Sequence, residues 1–414
     1  MKNFKPIIAP FKKYNSIGKE ELNAAQEVIR SGVLSKYIGA SHEDFLGGPK
    51  VREFEALCAE YFNVKHVITV NSWTSGLIAA VGAIGIEPGD EVITTPWTMS
   101  ATATAILHWN AIPVFADINP YTYNIDPKSI EKNITPHTKA IISVDIFGQP
   151  ADLEEIMFIA KKYNLKVISD SAQAPGAFYG NKHVSTIADI GGYSLNYHKH
   201  IHTGEGGILV TNDDDFADKL RLIRNHAEVV VDGRGSDNLV NMLGYNFRLG
   251  EIECAIGIEQ LKKLKKIVNI RQEQAQEITS GLSKLEFLST PIIADNRSHA
   301  FYSYAMQLEK NERADRDDLL NILANKGIYL GKGYQNIHLI SLYQKKVAYG
   351  SKGFPWNSAI CKRQVDYSKG ICPVAERLHD FDHFSFGMCI YDLNSKDIKY
   401  IIDSFKWAWS ELKI

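Results

Sequence analysis

The stretch YSLNYHKHIHTGEGGILV, residues 193–210, holds the residue types that most directly suggest chemistry. Lys199 stands between His198 and His200, with His202 two positions on and GEGG just after. Three histidines at alternate positions would share one face of a strand, an arrangement that can bind zinc. Against that, a lysine ammonium among them would repel a metal, and no carboxylate or thiolate is interleaved. The turn TGEGG also suggests that the strand has already ended. A lysine buried away from water can lose its proton and attack carbonyl carbon; on a surface loop it would simply be solvated. Two further groups belong with it. Asp170 ends the run LKVISD, where a carboxylate could stay ionised against a buried cation such as a pyridinium nitrogen, or cap the following SAQA segment. NSWTSG, residues 71–76, has small residues that let backbone N–H groups face an anion; it could equally be a plain helix start capped by Ser72 or Thr74.

The elements around these groups alternate regularly. VREFEALCAEYF (51–62) has helical spacing and HVITV (66–70) is β-branched; GLIAAVGAIGI (76–86) is helical and EVITTP (91–96) extended. ATATAILHWN, IPVFADI, TKAIISVDIF (138–147), LEEIMFIAKKYN and LKVISDS (165–171) continue the alternation. Strands that are nearly continuous apolar runs, separated by helices, predict a parallel sheet covered on both faces. IGGYSL and GILVT (207–211) follow one another without a helix and close the sheet; DDDFADKLRLIRNHA and the long pattern over 249–282 are helical. The remainder, 285–414, mixes strands such as FYSYAMQL with helices and reads as a smaller α/β unit. Ligands of such sheets bind beyond the carboxyl ends of the strands, where Asp170 and Lys199 lie.

Composition narrows the class of ligand. Of 414 residues, 46 are basic and 48 acidic, so no charge bias points to nucleic acid or an anionic membrane surface. Five scattered cysteines, never spaced CxxC, argue against a disulfide framework, a zinc ribbon or an iron–sulfur cluster. No apolar run approaches the ~20 residues that span a bilayer, and the N-terminus lacks a signal-peptide core, so the expectation is a cytoplasmic protein that handles small molecules.

Taken in order, an anion-cupping turn, a strand-end aspartate, then a serine and a lysine before GEGG resemble the DegT/DnrJ/EryC1/StrS family of sugar aminotransferases. The motifs are clear from about Gly47 to Leu264 and weaker beyond. The resemblance implies fold type I of the pyridoxal-phosphate enzymes: a large domain (1–265) with a mostly parallel seven-stranded sheet between helices, and a small α/β domain (266–414). SLNYHKHIHTGEGG is similar to the family's serine, Schiff-base lysine and G-[ED]-G-G, implying that Lys199 binds pyridoxal phosphate covalently and Ser194 contacts its phosphate. ISDSAQAPGA implies that Asp170 pairs with the pyridine nitrogen and that Gln173 approaches the ring hydroxyl. VNSWTSGL is similar to the phosphate cup, implying contacts from Thr74 and Ser75. GYNFRLGEIECAIG implies that Asn246 reaches the phosphate in a neighbouring subunit, hence a homodimer.

Three positions depart from the family pattern: Trp73 stands where glycine is usual, Asp145 where histidine is usual, and Met99 where an aromatic residue usually covers the cofactor ring. Either Met99 or Trp97 would take that place, and all three departures are expected on the substrate side. Relatives with histidine in place of the lysine remove a hydroxyl instead of transferring an amine, so Lys199 favours transamination. The resemblance implies L-glutamate or L-glutamine as donor and a nucleotide-linked keto sugar as acceptor. The stretch beginning GYQNIHLISLYQ, which contains Tyr334, resembles members that aminate keto-inositols, which makes a keto-cyclitol or a small phosphorylated ketone the alternative acceptor. Trp97, His200 and Tyr334 are the candidate substrate contacts. Residues 35–55 would form part of the substrate entrance or a plain surface loop.

Overall fold

A computed structural model describes residues 11–234, 239–309 and 315–412. Seven strands make the main sheet: β1 (His66–Val70), β2 (Glu91–Thr94), β3 (Ile112–Phe115), β4 (Thr138–Val144), β5 (Lys166–Asp170), β6 (Ile190–Ser194) and β7 (Gly207–Thr211). They lie in the order β1-β7-β6-β5-β4-β2-β3. Only β7 is reversed, antiparallel to both β1 and β6; every other neighbouring pair is parallel. The reversal follows from the chain itself: β6 and β7 are joined by a loop with no helix to carry the chain back across the sheet.

The apolar runs are buried on both faces, as a sheet between helix layers requires. Val67, Ile93, Ile141, Val167 and Ile208 face one core, with the helices Pro49–Phe62, Leu153–Tyr163 and the start of Glu251–Leu282. Ile68, Val92, Ile142, Ile168 and Leu209 face the other, with Trp73–Ala83 and Asp214–Arg224. Each fully buried aliphatic side chain of this kind contributes roughly 1.5–3 kcal/mol. The 32-residue helix Glu251–Leu282, about 48 Å long at 1.5 Å per residue, runs out of the first core and buries Ala275, Ile278 and Leu282 in a third.

That third core lies against a four-stranded antiparallel sheet: β8 (Leu288–Ser289), β9 (Tyr304–Leu308), β10 (Gly331–Lys332) and β11 (His383–Phe386), in the order β8-β9-β11-β10. The helices Arg316–Ala324 and Ser395–Leu412 cover it through Leu319, Leu323, Ile398, Ile401 and Phe405. Residues 337–378 pack elsewhere. Tyr343, Trp356 and Tyr367 join the core of the large sheet, and the Tyr367 hydroxyl donates to Pro113 O (2.7 Å), closing the open edge at β3.

Register decides what the sheet presents at its carboxyl end. Val70 pairs with Gly207, Gly207 with Ser194, and Asp170 with Gly192. The loops after β1, β5 and β6 therefore leave the sheet side by side, bringing together residues more than a hundred positions apart in sequence.

Candidate active site

Asp170 is the last residue of β5 and only 4% exposed. Its carboxylate is held from three directions. The Trp73 indole N–H donates to Oδ1 at 2.7 Å, the Thr102 hydroxyl to Oδ2 at 2.9 Å, and the Ala172 N–H to Oδ1 at 3.2 Å. Burial pushes the Asp170 pKa up; those donors and the nearby Lys199 charge oppose the shift.

Lys199 lies five residues past the end of β6, in a loop closed by its own N–H bonding to Asn196 O at 2.9 Å. The side chain is 7% exposed, and Nζ sits 4.4 Å from the centroid of the Tyr302 ring. Burial lowers its pKa to about 8, even though Asp170 and Cys389 favour the charged form. A substantial fraction of the amine is thus neutral, and nucleophilic, slightly above neutral pH.

The turn after β1 starts the helix Trp73–Ala83, with Ser72 as its cap: the Ser72 hydroxyl accepts the Ser75 N–H at 3.0 Å and lies 2.9 Å from the Ser75 hydroxyl. Both readings of NSWTSG therefore hold at once, since a capped helix start is also where free N–H groups face an anion. Thr74 is exposed at this start and Ser75 buried. Ser194, at the adjoining strand end, accepts the Asn196 N–H at 3.2 Å. Gln173 is buried one turn beyond Asp170, and its Oε1 accepts the Phe147 N–H at 2.7 Å. Asn246 is exposed beside the same turn. Its backbone oxygen accepts from Asn71 at 3.2 Å and its Oδ1 from Arg248 at 2.8 Å.

Next to Lys199 opens a cavity of about 690 Å³, whose walls include Tyr14, Tyr197, His198, Tyr302, Tyr329 and Tyr334. β10, β11 and the residues just before β9 supply much of this wall, so the site lies between the large sheet and the small one.

The histidines do not form a metal site. Residues 195–206 are loop, not strand, so the alternate spacing puts no common face on them. His200 is fully buried, and its Nε2 donates to Ala300 O at 2.7 Å; burial lowers its pKa to about 3. His198 borders the cavity, where burial and Lys199 lower its pKa to about 4. The His202 Nδ1 accepts the Gly204 N–H at 3.3 Å. Among the described residues, one trio brings candidate ligand atoms within 4.8 Å of one another: His42, Glu43 and Asp44, far along the chain from this loop.

Trp97 and Met99 part company. Met99 precedes the helix Ser100–His108 and is 67% exposed. Trp97 has no exposed surface; it stacks on Tyr123 at 5.8 Å, packs edge-on to His383, and bonds Asn336 Oδ1 at 2.9 Å. It stands behind Tyr334, whose ring centroid is 5.9 Å away. His200 is likewise buried behind the wall, so of the three candidate substrate contacts Tyr334 is the one that borders the cavity.

Two of the family departures are not on the substrate side at all. Trp73 bonds Asp170 directly. Asp145 is fully buried, and its Oδ2 accepts the hydroxyls of Ser171 (2.6 Å) and Ser169 (3.1 Å), the residues on either side of Asp170. Burial pushes its pKa up to about 7. Thr102 and Tyr302 escaped the sequence reading. Thr102 is one of several small residues in a helix start, and Tyr302 one of several aromatics in FYSYAMQL. Their roles depend on contacts across 68 and 103 positions.

Residues 15–368 match the DegT/DnrJ/EryC1/StrS aminotransferase family. The spore coat polysaccharide biosynthesis protein SpsC of Bacillus subtilis is 36% identical over 347 residues, 82% of this chain and 86% of that protein. The GDP-perosamine synthase of Caulobacter vibrioides is 35% identical over 301 residues, 72% of this chain and 79% of that one. Among solved structures, the aminotransferase of Psychrobacter cryohalolentis superposes with a TM-score of 0.83 at 27% identity, covering 98% of this chain and 100% of that one. The chain belongs to the DegT/DnrJ/EryC1/StrS aminotransferase family, and it is an aminotransferase. Among the described residues, no helix is long and apolar enough to cross a membrane.

Proposed function

We propose that this enzyme uses pyridoxal phosphate, held by Lys199, to move an amino group from L-glutamate or L-glutamine to the ketone of a nucleotide-linked sugar. The observation that carries the reading is the pairing of a buried lysine, its pKa lowered to about 8, with a buried, triply bonded carboxylate at the neighbouring strand end. The residues fit such a cofactor. Asp170 offers a buried negative charge to a protonated ring nitrogen, and the start of Trp73–Ala83, with Ser75, Thr74 and Ser194, offers donors to a phosphate. Gln173 would approach the ring hydroxyl. Bound there, the cofactor supplies an electron-withdrawing ring that stabilises negative charge on the carbon losing its proton.

The chain does the rest. Lys199 Nζ takes a proton and returns it, a role that suits a group titrating near neutrality. Asp170 keeps the ring nitrogen charged, and the tyrosine-lined wall orients the acceptor and excludes water. The acceptor class rests on kinship: a relative named for GDP-perosamine synthesis is 35% identical. A homodimer is supported by exposed apolar residues around the first helix and the loop before Asn246, among them Leu22, Ile29, Leu34, Leu239 and Leu243. Asn246 would act there on the neighbouring subunit's phosphate.

The test is an absorbance spectrum of the protein loaded with pyridoxal phosphate, before and after L-glutamate. A visible band that bleaches, then returns on adding a nucleotide-linked keto sugar, supports both halves of the reading. Return of the band with scyllo-inosose alone would move the acceptor to the cyclitols. Absence of any band would overturn the proposal.

A further inference from the structure

Trp73 is the first residue of its helix, and its ring is buried against the sheet. Neighbouring glycines make the space. A Cβ on Gly192 would lie 2.3 Å from the indole Cζ3, and a Cβ on Gly76 would lie 2.9 Å from Cε3. The indole N–H then meets a single acceptor, Asp170 Oδ1, at 2.7 Å. A large ring in a gap left by two glycines, aimed at the buried Asp170 carboxylate, is more specific than space filling demands. Thr102 and Ala172 bond the same carboxylate from two other segments, so its plane is fixed.

Resting on the reading that this pocket holds pyridoxal phosphate, we propose that Trp73 is a positioning residue: through its indole N–H it fixes and keeps ionised the Asp170 carboxylate that faces the cofactor's ring nitrogen. A buried carboxylate left without donors takes up a proton, and a neutral acid cannot hold a cationic ring. A charge-assisted hydrogen bond to the anion reverses that tendency. The residue also joins the two ends of the site, because its backbone belongs to the turn offered to the phosphate and its side chain reaches the group offered to the ring.

The variant Trp73→Phe keeps an aromatic ring in the gap and removes the donor, at the cost of a smaller ring; the pH profile and the indole spectra read the donor alone. Loss of one hydrogen bond to a charged group predicts about tenfold weaker retention of pyridoxal phosphate by the apo-protein. The pH profile of the bound cofactor's absorbance should shift by roughly one unit. Unchanged retention and an unchanged profile would overturn the proposal and leave Trp73 as a filler. Should Trp73→Phe fail to fold, indole 15N–1H spectra of the wild-type apo-protein decide the matter. The resonance of Trp73, assigned with the five other tryptophans by conservative substitution of each, should move on titrating Asp170 or in Asp170→Asn. A resonance indifferent to Asp170 would overturn the proposal. These apo-protein spectra separate it from the functional reading, which falls instead if the wild type forms no absorbance band at all.

Discussion

The floor of the site and its wall are built on opposite plans. On the floor, Trp73, Thr102, Asp170 and Lys199 are all under a tenth exposed, and the first three are tied by hydrogen bonds of 2.7 and 2.9 Å. On the wall, Tyr197 and Tyr329 are each 69% exposed. The floor gathers at the carboxyl end of the mostly parallel sheet, on a strand end and on the helix starts and loop that follow the strands; the wall is assembled from loops and from short strands of the second sheet. Chemistry common to a family belongs on the rigid part, and discrimination between acceptors on the part whose residues can change without disturbing the fold.

This contrast orders the expected effects of substitution. The largest belongs to Gly192→Ala. Its methyl would lie 2.3 Å from the Trp73 ring, with backbone on the other side at 2.1 Å, so neither can yield. Overpacking of this kind costs about 2–3 kcal/mol, and thermal melting should show a Tm lowered by several degrees, with poor cofactor retention. Next comes Thr102→Val, nearly the same shape without the donor to Asp170 Oδ2. It should lower kcat/KM by about 30-fold, as the loss of a bond to a charged group does, with a smaller fall in Tm because the buried Thr98 hydroxyl, 2.7 Å away, loses its partner. A fall in stability matching the fall in rate would blur the distinction between floor and scaffold.

A pH experiment sharpens the claim about Lys199. The folded pKa of about 8 lies below the ordinary lysine value, so the neutral amine grows as pH rises toward and past 8. The rate at which apo-protein captures pyridoxal phosphate should therefore climb roughly tenfold between pH 7 and pH 9 and then level off. A rise continuing unchecked beyond pH 10 would mean an ordinary, solvated lysine. The smallest effect is expected on the wall. Tyr329→Ala should raise KM for the acceptor about threefold and leave the cofactor band and the donor half-reaction as they were.

The same division explains what could be read from the sequence. The alternation of apolar strands and amphipathic helices is local, so the parallel sheet and the strand ending at Asp170 are legible; so are Lys199 before GEGG and the small residues after β1. The wrong face for Trp73 and Asp145 has one cause. Their partners, Asp170 and the serines beside it, lie 97 and 24–26 positions away and meet them only through the order of strands in the sheet. The histidines show the limit of spacing, which is informative only on a strand: these stand in a loop, as the turn TGEGG after them suggested. Trp97, expected near substrate, lies instead in an aromatic cluster with Tyr123 and His383 that no local pattern announces.

The most direct test of the account fixes the cofactor in place. The purified protein would be incubated with pyridoxal phosphate, reduced with borohydride and digested, and its peptides mapped by mass spectrometry. One modified lysine is expected, Lys199, in the peptide containing YSLNYHKHIH, and no labelling of Lys199→Ala. Modification confined to other lysines, or label retained in that variant, would contradict the account.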